Sequence, residues 1–336
     1  MRIAIVTDAW APQVNGVVRT LAAVQQGLIA DGHQTAMIGP DLFRTIRCPG
    51  DSSVRLAIGA RGRLARHLAA LRPEAIHIAT EGPLGLAARG YCLRRGLHFT
   101  SAFHTRFPEY LKLRYRAPLS WGYAALRYFH APSSAVMVAT ASLRQELAAR
   151  GFTRLVDWTR GVDTALFRPD QEPAVALPRP VFLFVGRIAV EKDLPVFLDL
   201  DLPGSKLVVG DGALLGEMRR RYPRIHFAGA QEGEALARYY AAADVLVLPS
   251  RTETFGLVVL EALASGVPVA AFPAPGPLDI IGYSGAGMLA EDLRAAALAA
   301  LAIPGWVCRE HALRYSWQAS VDQFLQHLVL AKLARS

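Results

Sequence analysis

Short apolar runs alternate with amphipathic segments along most of the chain. Runs typical of buried parallel strands occupy residues 2–7, 34–38, 75–78, 98–103, 135–139, 181–185, 206–209, 225–227, 245–248 and 267–271. Segments with helical periodicity lie between them, for example at 17–30, 64–71, 84–95 and 257–264, and a last one covers 317–333. This alternation predicts doubly wound α/β structure with parallel sheets.

A proline-rich segment divides the pattern into two halves. Residues 168–180 contain four prolines, which is typical of a linker. We therefore predict one domain over residues 1–168, a linker over 169–180, a second domain over 181–315 and a terminal helix within 316–336. A chain of 336 residues is long enough for two complete cores. The simplest architecture is a pair of Rossmann-like, doubly wound parallel-sheet domains that face each other across a cleft.

Two carboxylates flank the start of the helix predicted over 257–264. Glu253 follows the apolar strand at 245–248, and Glu261 lies on the helix itself. Parallel sheets bind ligands at the carboxyl ends of their strands, and the free amides at a helix start suit an anion. Hydrogen-bond acceptors beside a phosphate site are what a nucleotide-sugar requires.

Cations follow the first strand of the second half. Gly186 and Arg187 come directly after residues 181–185, and Lys192 lies in the same loop. Two cations in one loop suit a diphosphate; a solvated charge run at 191–193 would explain Lys192 alone. Gly210 ends the next strand and allows a tight turn.

Polar residues also end strands in the first half. Asp8 ends the first strand, Glu81 follows the third, and His104 follows the strand at 98–103. Asn15 and Gly16 precede the first helix, where backbone amides can meet an anion or simply form a turn. The dinucleotide fingerprint GxGxxG is missing after the first strand, which disfavours an NAD or FAD oxidoreductase.

The positive charge is concentrated in the first half. Residues 1–170 hold 22 of the 37 Lys and Arg but only 11 of the 28 Asp and Glu, which indicates an anionic partner or an arginine-rich surface. Residues 103–130 interleave cations with aromatic rings. Membrane contact, a helical hairpin with buried aromatics and single-stranded nucleic acid binding would each explain this mixture. The candidates for membrane contact are Arg106, Lys112, Arg114, Arg116 and Trp121.

Other features narrow the class of protein. Three cysteines without CxxC spacing indicate a reducing cytosol. The first apolar run is too short for a signal peptide, and no apolar stretch approaches the roughly 18 residues of a membrane span. The DxD triplet at 199–201 reads as a surface turn, so we expect no metal and no cofactor.

Together these motifs resemble the family 4 retaining glycosyltransferases of the GT-B fold, most closely bacterial members that glycosylate lipids and related mannosyltransferases. The resemblance is carried by residues 8–18 (DAWAPQVNGVV), 80–83, 103–105, 160–163 with 167–169, 186–187 with 192, 210–212, 253–261 and 266–269.

The resemblance implies a metal-independent hexosyltransferase that uses a UDP- or GDP-sugar. Arg187 and Lys192 would hold the diphosphate and stabilise it as it leaves, Glu253 would bind the sugar hydroxyls, Glu261 the ribose, and His104 the transferred sugar. The implied donor site comprises Gly16, Gly186, Arg187, Lys192, Gly210, Glu253, Thr254, Phe255, Gly256, Leu257 and Glu261. The implied cleft residues on the acceptor side are Asp8, Asn15, Glu81 and His104.

The resemblance also implies that the terminal helix packs back on the first domain. Joined to the basic first half, it predicts a cytoplasmic enzyme attached peripherally to the inner face of an anionic membrane, with diacylglycerol or a glycolipid as acceptor. A soluble polysaccharide or small glycoside acceptor is the nearest alternative. An epimerase-like relative and a nucleic-acid-binding protein are more remote. The chain departs from many family members in having Asn15-Gly16 instead of two adjacent glycines, and in a proline-rich segment at 272–279.

Overall fold

The computed structural model describes residues 1–11, 13, 15–48 and 51–329, except for the side chains of residues 51–54 and 114. The described chain forms two compact units. Unit 1 comprises residues 1–159 together with the segment from 317, and unit 2 comprises residues 160–316. Residues 330–336 of the predicted terminal segment lie outside the described residues.

Unit 1 contains a six-stranded parallel sheet and an antiparallel hairpin. Its strands are β1 (Arg2–Val6), β2 (Gln34–Ile38), β3 (Thr45–Cys48), β4 (Asp51–Ala57), β5 (Ala75–Ile78), β6 (Thr100–Phe103), β7 (Val136–Val138) and β8 (Leu155–Asp157). The sheet order is β2-β1-β5-β6-β7-β8, and β3 pairs with β4 outside it. The order reverses between β1 and β5, so the loops after these two strands frame a switch point.

Helices cover both faces of this sheet. They are α1 (Gly16–Ala30), α2 (Ala60–Leu71), α3 (Pro83–Arg94), α4 (Phe107–Tyr115), α5 (Leu119–His130), α6 (Ala141–Ala149) and α14 (Trp317–His327). One core cluster joins the sheet to α2 and α3, and another joins it to α1 and α14. A Cβ atom added to Gly27 of α1 would lie 2.5 Å from Val321 Cγ2. This glycine therefore lets α14 pack close against α1.

Unit 2 is a second parallel α/β unit. Its strands are β9 (Val181–Val185), β10 (Ser205–Val209), β11 (His226–Gly229), β12 (Val245–Leu248), β13 (Val269–Ala271) and β14 (Gly287–Leu289). Its helices are α7 (Leu194–Leu198), α8 (Leu215–Arg221), α9 (Gly233–Ala241), α10 (Leu257–Ala264), α11 (Pro275–Ile281), α12 (Leu293–Ala300) and α13 (Gly305–Ala312). The order β11-β10-β9-β12-β13-β14 is the Rossmann order, with its switch point between β9 and β12.

The two doubly wound parallel-sheet units confirm the predicted fold class. The unit boundary differs from the predicted one at 168, because the segment after residue 160 is bonded into unit 2. The Val162 amide donates to the Tyr315 carbonyl at 3.1 Å. The Arg309 guanidinium donates to the carbonyls of Phe167 and Thr164 at 2.6 and 2.8 Å. Within the proline-rich stretch, the Ala174 amide donates to the Arg238 carbonyl at 2.9 Å, so this stretch is also bonded to unit 2.

Candidate functional site

The switch point of unit 2 brings the predicted cations and carboxylates together. Strand β9 ends one residue before Gly186, and the loop after β12 carries Glu253. Lys192, in a single turn of 3₁₀ helix after β9, donates a hydrogen bond to the Glu253 carboxylate. Glu253 itself is largely buried. Residues 61 positions apart therefore form one ion pair where an α/β sheet of this order binds ligands.

Glu191 is a member of this site that sequence reasoning missed. Its carboxylate is buried and accepts a hydrogen bond from Arg187 Nη2 at 2.5 Å. Its backbone carbonyl accepts from the hydroxyls of Ser250 and Thr252, each at 3.1 Å. The interpretation of residues 191–193 as a solvated charge run is therefore wrong for Glu191. Glu191 follows Arg187 by four residues, but no helix joins the two, so the spacing alone did not predict this pair.

Glu261 lies on the second turn of α10 and is buried. Its Oε2 atom accepts a hydrogen bond from the Tyr240 hydroxyl of α9 at 2.9 Å. Tyr240 is completely buried and packs edge-to-face against Phe167 at 5.7 Å between ring centroids. A buried tyrosine thus fixes the orientation of one of the two predicted nucleotide-sugar carboxylates.

The other predicted donor residues lie in the short loops beside this cluster. Thr254, Phe255 and Gly256 link Glu253 to Leu257, the first residue of α10, and Gly256 takes a left-handed conformation with φ of 89°. A Cβ atom added to Gly210 would lie 1.9 Å from the carbonyl oxygen of Gly186. Gly210 therefore keeps two loops of the protein itself in close contact.

Asp8 lies at the switch point of unit 1 and is bonded to the start of α3. Its carboxylate accepts hydrogen bonds from the Thr80 hydroxyl at 2.9 Å and from the amides of Leu84 and Gly85 at 2.8 and 3.2 Å. Burial raises the pKa of the Asp8 carboxyl above its ordinary value, although these hydrogen bonds lower it. These bonds assign Asp8 to capping α3.

Asn15 caps α1 in a similar way. Its Oδ1 atom accepts from the amides of Val17 and Val18, both at 3.0 Å. These two amides are therefore occupied by the protein, which corrects the interpretation of the α1 start as a set of free donors for an anion. Gly16 is the first residue of the helix. Pro12 and Val14 of the same motif lie outside the described residues.

Glu81 and His104 occupy different surroundings in unit 1. Glu81 Oε1 is 3.2 Å from Nε2 of His130, whose Nδ1 atom is 2.8 Å from the Ser101 hydroxyl. Glu81 is thus joined to a buried network. His104 follows β6, is about nine-tenths buried, and packs edge-to-face against Trp158 at 5.5 Å.

The basic and aromatic segment forms the helical hairpin α4–α5. Trp121, Lys112 and Arg116 are exposed on it, whereas Tyr123 is buried. The side chain of Arg114 lies outside the described residues. The hairpin thus combines exposed cations, as membrane contact would require, with a buried aromatic ring, as the alternative of an ordinary helical hairpin predicted.

Arg106 does not belong with the exposed cations of this hairpin. It is 6% exposed and donates to Glu146 at 2.5 Å and to Glu109 at 3.4 Å. Because both carboxylates hold its guanidinium inside unit 1, we remove Arg106 from the membrane-facing set.

The DxD triplet is engaged in ion pairs on the surface of unit 2. Asp199 accepts from the Tyr222 hydroxyl and Arg221 at 2.6 and 3.3 Å, and Asp201 pairs with Arg294 at 3.7 Å. Within the described ranges, no group of three His, Cys, Asp or Glu is arranged to hold a metal ion. None of the helices in those ranges is long and apolar enough to cross a membrane.

Comparison with known proteins places this arrangement in a family. Residues 179–303 match the model of glycosyl transferases group 1, and residues 14–166 match that of Glycosyltransferase Family 4. A GDP-mannose-dependent alpha-mannosyltransferase of Mycobacterium tuberculosis is 31% identical over 319 residues, which cover 86% of this chain and 83% of the relative. The chain belongs to glycosyltransferase family 4. This family 4 glycosyltransferase is also 32% identical to the sulfoquinovosyl transferase SQD2 of Arabidopsis thaliana, over 71% of this chain and 50% of the relative.

Solved glycosyltransferase structures share the fold of this family 4 chain. Sucrose-phosphate synthase from Thermosynechococcus elongatus superposes with a TM-score of 0.75, at 22% identity and 97% coverage of both chains. HepE from Anabaena, in complex with UDP and glucose, gives a TM-score of 0.70 over 97% of this chain and 98% of that one, at 13% identity. The GT-B fold expected from the sequence is thereby confirmed.

Proposed function

We propose that this family 4 glycosyltransferase transfers a hexose from a nucleotide-sugar to a lipid acceptor, with retention of anomeric configuration and without a metal ion. The observation that carries the proposal is the cluster at the switch point between β9 and β12. There, the pairs Arg187–Glu191 and Lys192–Glu253 supply two cations and two carboxylates. Glu261 adds a third carboxylate on α10, the helix that follows β12. This composition suits a ligand that has a diphosphate between two groups rich in hydroxyls.

The cations act on the leaving group. Arg187 and Lys192 bind the donor diphosphate and stabilise the charge that develops on it as the glycosidic bond breaks. Glu191 holds the Arg187 guanidinium through an ion pair whose carboxylate is buried. A positioned cation costs no reorganisation during the reaction, which is how electrostatic preorganisation accelerates a step of this kind.

The carboxylates orient the two ends of the donor. Glu253 binds the sugar hydroxyls, and Glu261, held by Tyr240, binds the ribose hydroxyls. In unit 1, His104 is assigned to the transferred sugar. The phosphate role of Gly16 stays a prediction, because Asn15 already binds the amides of Val17 and Val18 beside it. The acceptor hydroxyl attacks the oxocarbenium-like sugar from the face that the diphosphate leaves, which retains the configuration. Catalysis then rests on positioning and charge stabilisation.

GDP-mannose is the donor to test first, because three relatives are named GDP-mannose-dependent alpha-mannosyltransferases and match 86–97% of this chain. The experiment is thermal unfolding in the presence of GDP- and UDP-sugars. A donor at a hundredfold excess over its Kd stabilises the folded state by about 2.7 kcal/mol. If only a UDP-sugar stabilises the protein, the donor base is uracil and not guanine. If no nucleotide-sugar stabilises it, the proposed donor site is refuted.

Alanine substitutions test the residues of this site. We expect Arg187→Ala, Lys192→Ala and Glu253→Ala each to lower kcat/KM by about a hundredfold or more, the scale seen when one preorganised charge-stabilising group is removed. Arg221→Ala is the matched control, because Arg221 pairs with Asp199 on the surface of the same unit. Near-normal turnover in all three site variants would refute the assignment.

The α4–α5 hairpin supports the lipid acceptor. Tyr115 and Trp121 are 59% and 73% exposed, and Lys112, Arg116 and the segment 117–119 line an open groove on the same hairpin. Exposed aromatic rings enter the boundary between headgroups and acyl chains, and cations attract anionic headgroups at about 1 kcal/mol each. The hairpin therefore suits attachment to an anionic leaflet.

Flotation with vesicles tests this attachment. The protein should float with vesicles that contain phosphatidylglycerol and remain behind with vesicles of phosphatidylcholine alone. Trp121→Ser should weaken flotation, whereas Trp306→Ser should not, because Trp306, which is 68% exposed, belongs to α13 of unit 2 and is not part of the basic hairpin. No flotation of the unmodified protein, or equal loss in both variants, would contradict membrane attachment.

A soluble acceptor is the second candidate. D-inositol 3-phosphate glycosyltransferases, for example that of Mycobacterium avium, are 34% identical over 199 residues, which cover 49% of this chain. Transfer of labelled hexose to inositol 3-phosphate, with none to extracted lipid, would favour this candidate. Both outcomes leave the donor site unchanged.

A further inference from the structure

Trp158 connects the loop that carries His104 to the helix α14. The indole is completely buried in unit 1, directly after β8. Its ring centroid is 5.5 Å from that of His104, with an interplanar angle of 66°, and 5.2 Å from that of Phe324 on α14. The contact with His104 is edge-to-face, whereas the rings of Trp158 and Phe324 are tilted by 47°. Aromatic pairs in contact have preferred geometries, so each ring restricts the tilt of the next.

Helix α14 holds this tryptophan through hydrogen bonds as well as through packing. The indole Nε1 donates to the Ser320 carbonyl at 3.1 Å. On the next residue, the Thr159 amide donates to Gln323 Oε1 at 2.8 Å, and the Thr159 carbonyl accepts from the Ser320 hydroxyl at 2.8 Å. Three hydrogen bonds thus fix the segment 158–159 relative to one turn of α14.

A second histidine, His77, contacts the Trp158 indole on another side and restricts its orientation. His77 on β5 lies 5.7 Å from Trp158 and 4.9 Å from Phe324, in both cases edge-to-face. Its Nδ1 atom is 2.9 Å from the hydroxyl of Thr100 on β6, so this imidazole is itself oriented by the sheet. The indole is therefore restrained by the sheet and by α14.

We infer that Trp158 is a positioning residue, which sets the orientation of the His104 imidazole and makes that orientation depend on α14. The inference rests on the proposed function, in which His104 contacts the transferred sugar. A displacement of about 1 Å at a reacting centre can cost about a hundredfold in rate. Residues that contact no substrate, such as Phe324, then influence turnover through the indole.

A double-mutant cycle tests this role. We compare Trp158→Phe, His104→Ala and the variant with both substitutions, measuring kcat and the donor KM. We expect Trp158→Phe to lower kcat about tenfold and leave the donor KM unchanged, because the nucleotide is bound by unit 2. The double variant should have the kcat of His104→Ala, since a misplaced imidazole and a missing one remove the same interaction.

Two further variants separate positioning from general destabilisation. Phe324→Leu, on α14, should lower kcat about threefold. Phe99→Leu removes a buried aromatic ring of the core cluster that joins the sheet to α2 and α3, and it should lower Tm with kcat unchanged below the new Tm. An equal loss of kcat in the Phe99 variant would show that the effect is only structural.

The results of the double-mutant cycle distinguish a failure of the proposed function from a failure of the positioning role of Trp158. Full activity of His104→Ala would refute the role of His104 in the proposed function, and with it the inference. Low activity of His104→Ala together with multiplicative losses in the double variant would leave the proposed function intact and overturn the positioning role of Trp158. A donor KM that rises as kcat falls in Trp158→Phe would also overturn it.

Discussion

The hydrogen bond between Tyr240 and Glu261 allows a quantitative test of donor recognition. Tyr240→Phe deletes one hydroxyl, whose oxygen lies 2.9 Å from Glu261 Oε2 in a completely buried position. A hydrogen bond to a charged group contributes about 1.5–3 kcal/mol. Since 1.4 kcal/mol corresponds to a factor of ten, its full loss from donor binding would raise the donor KM between about tenfold and about 150-fold.

We expect the lower end of this range, because part of the loss appears as reduced stability of the folded protein. Turnover at saturating donor should change little, since Glu261 is assigned to the ribose and not to the bond that breaks. The assay is steady-state transfer at varied donor concentration, with donor Kd measured by calorimetry. Tyr222→Phe is the matched control: its hydroxyl donates to Asp199 at 2.6 Å on the surface of the same unit. Unchanged donor KM in Tyr240→Phe, or an equal change in both variants, would refute the assignment of Glu261.

Two further predictions concern ion pairs that are partly buried. Glu191→Gln keeps the volume of the side chain but removes the charge that holds Arg187. We therefore expect kcat/KM to fall about tenfold in steady-state assays. Unchanged kinetics would contradict the role of Glu191 in positioning Arg187. Burial alone would raise the pKa of Glu146, but hydrogen bonds and charges of Arg106 and Arg150 hold it below the ordinary value of 4.5. The ionised Glu146 carboxylate therefore stabilises the fold above about pH 4.5, and this contribution is lost as the pH falls through the lower pKa of the folded state. The Tm difference between the protein and Glu146→Gln should accordingly be large at pH 7 and shrink at pH 3. A difference in Tm that stays constant with pH would exclude this linkage.

Central strands of the sheets and the buried helices that pack on them were predictable from the sequence. The apolar run at 245–248 and the helix at 257–264 coincide with β12 and α10, because burial on all sides leaves an uninterrupted apolar pattern. The hairpin β3–β4 and the strands β8 and β14 were missed. Their described residues are mostly only partly buried, so their sequences lack that pattern.

The residue types of the candidate site were predictable, but their partners were not. Arg187, Lys192 and Glu253 lie in loops that follow predicted strands, where sheet topology alone brings loops together. Glu261 lies inside the predicted helix that follows the last of these loops. Arg106, by contrast, pairs with Glu146, 40 residues away on another helix. No local pattern specifies such a pair, so an exposed cation and a buried one look alike in the sequence.

The discontinuity of unit 1 has a consequence for biosynthesis. Unit 2 is one continuous segment, whereas the core of unit 1 includes Val321 and Phe324, which are synthesised after the whole of unit 2. On the ribosome, unit 2 can complete its core as soon as residue 316 has emerged, while Leu21, Val24 and Leu28 of α1 still lack the side chains of α14 that cover them. The nascent first unit thus exposes apolar surface for more than 150 residues of elongation, at about 5–20 residues per second. This interval is when chaperones would be needed most.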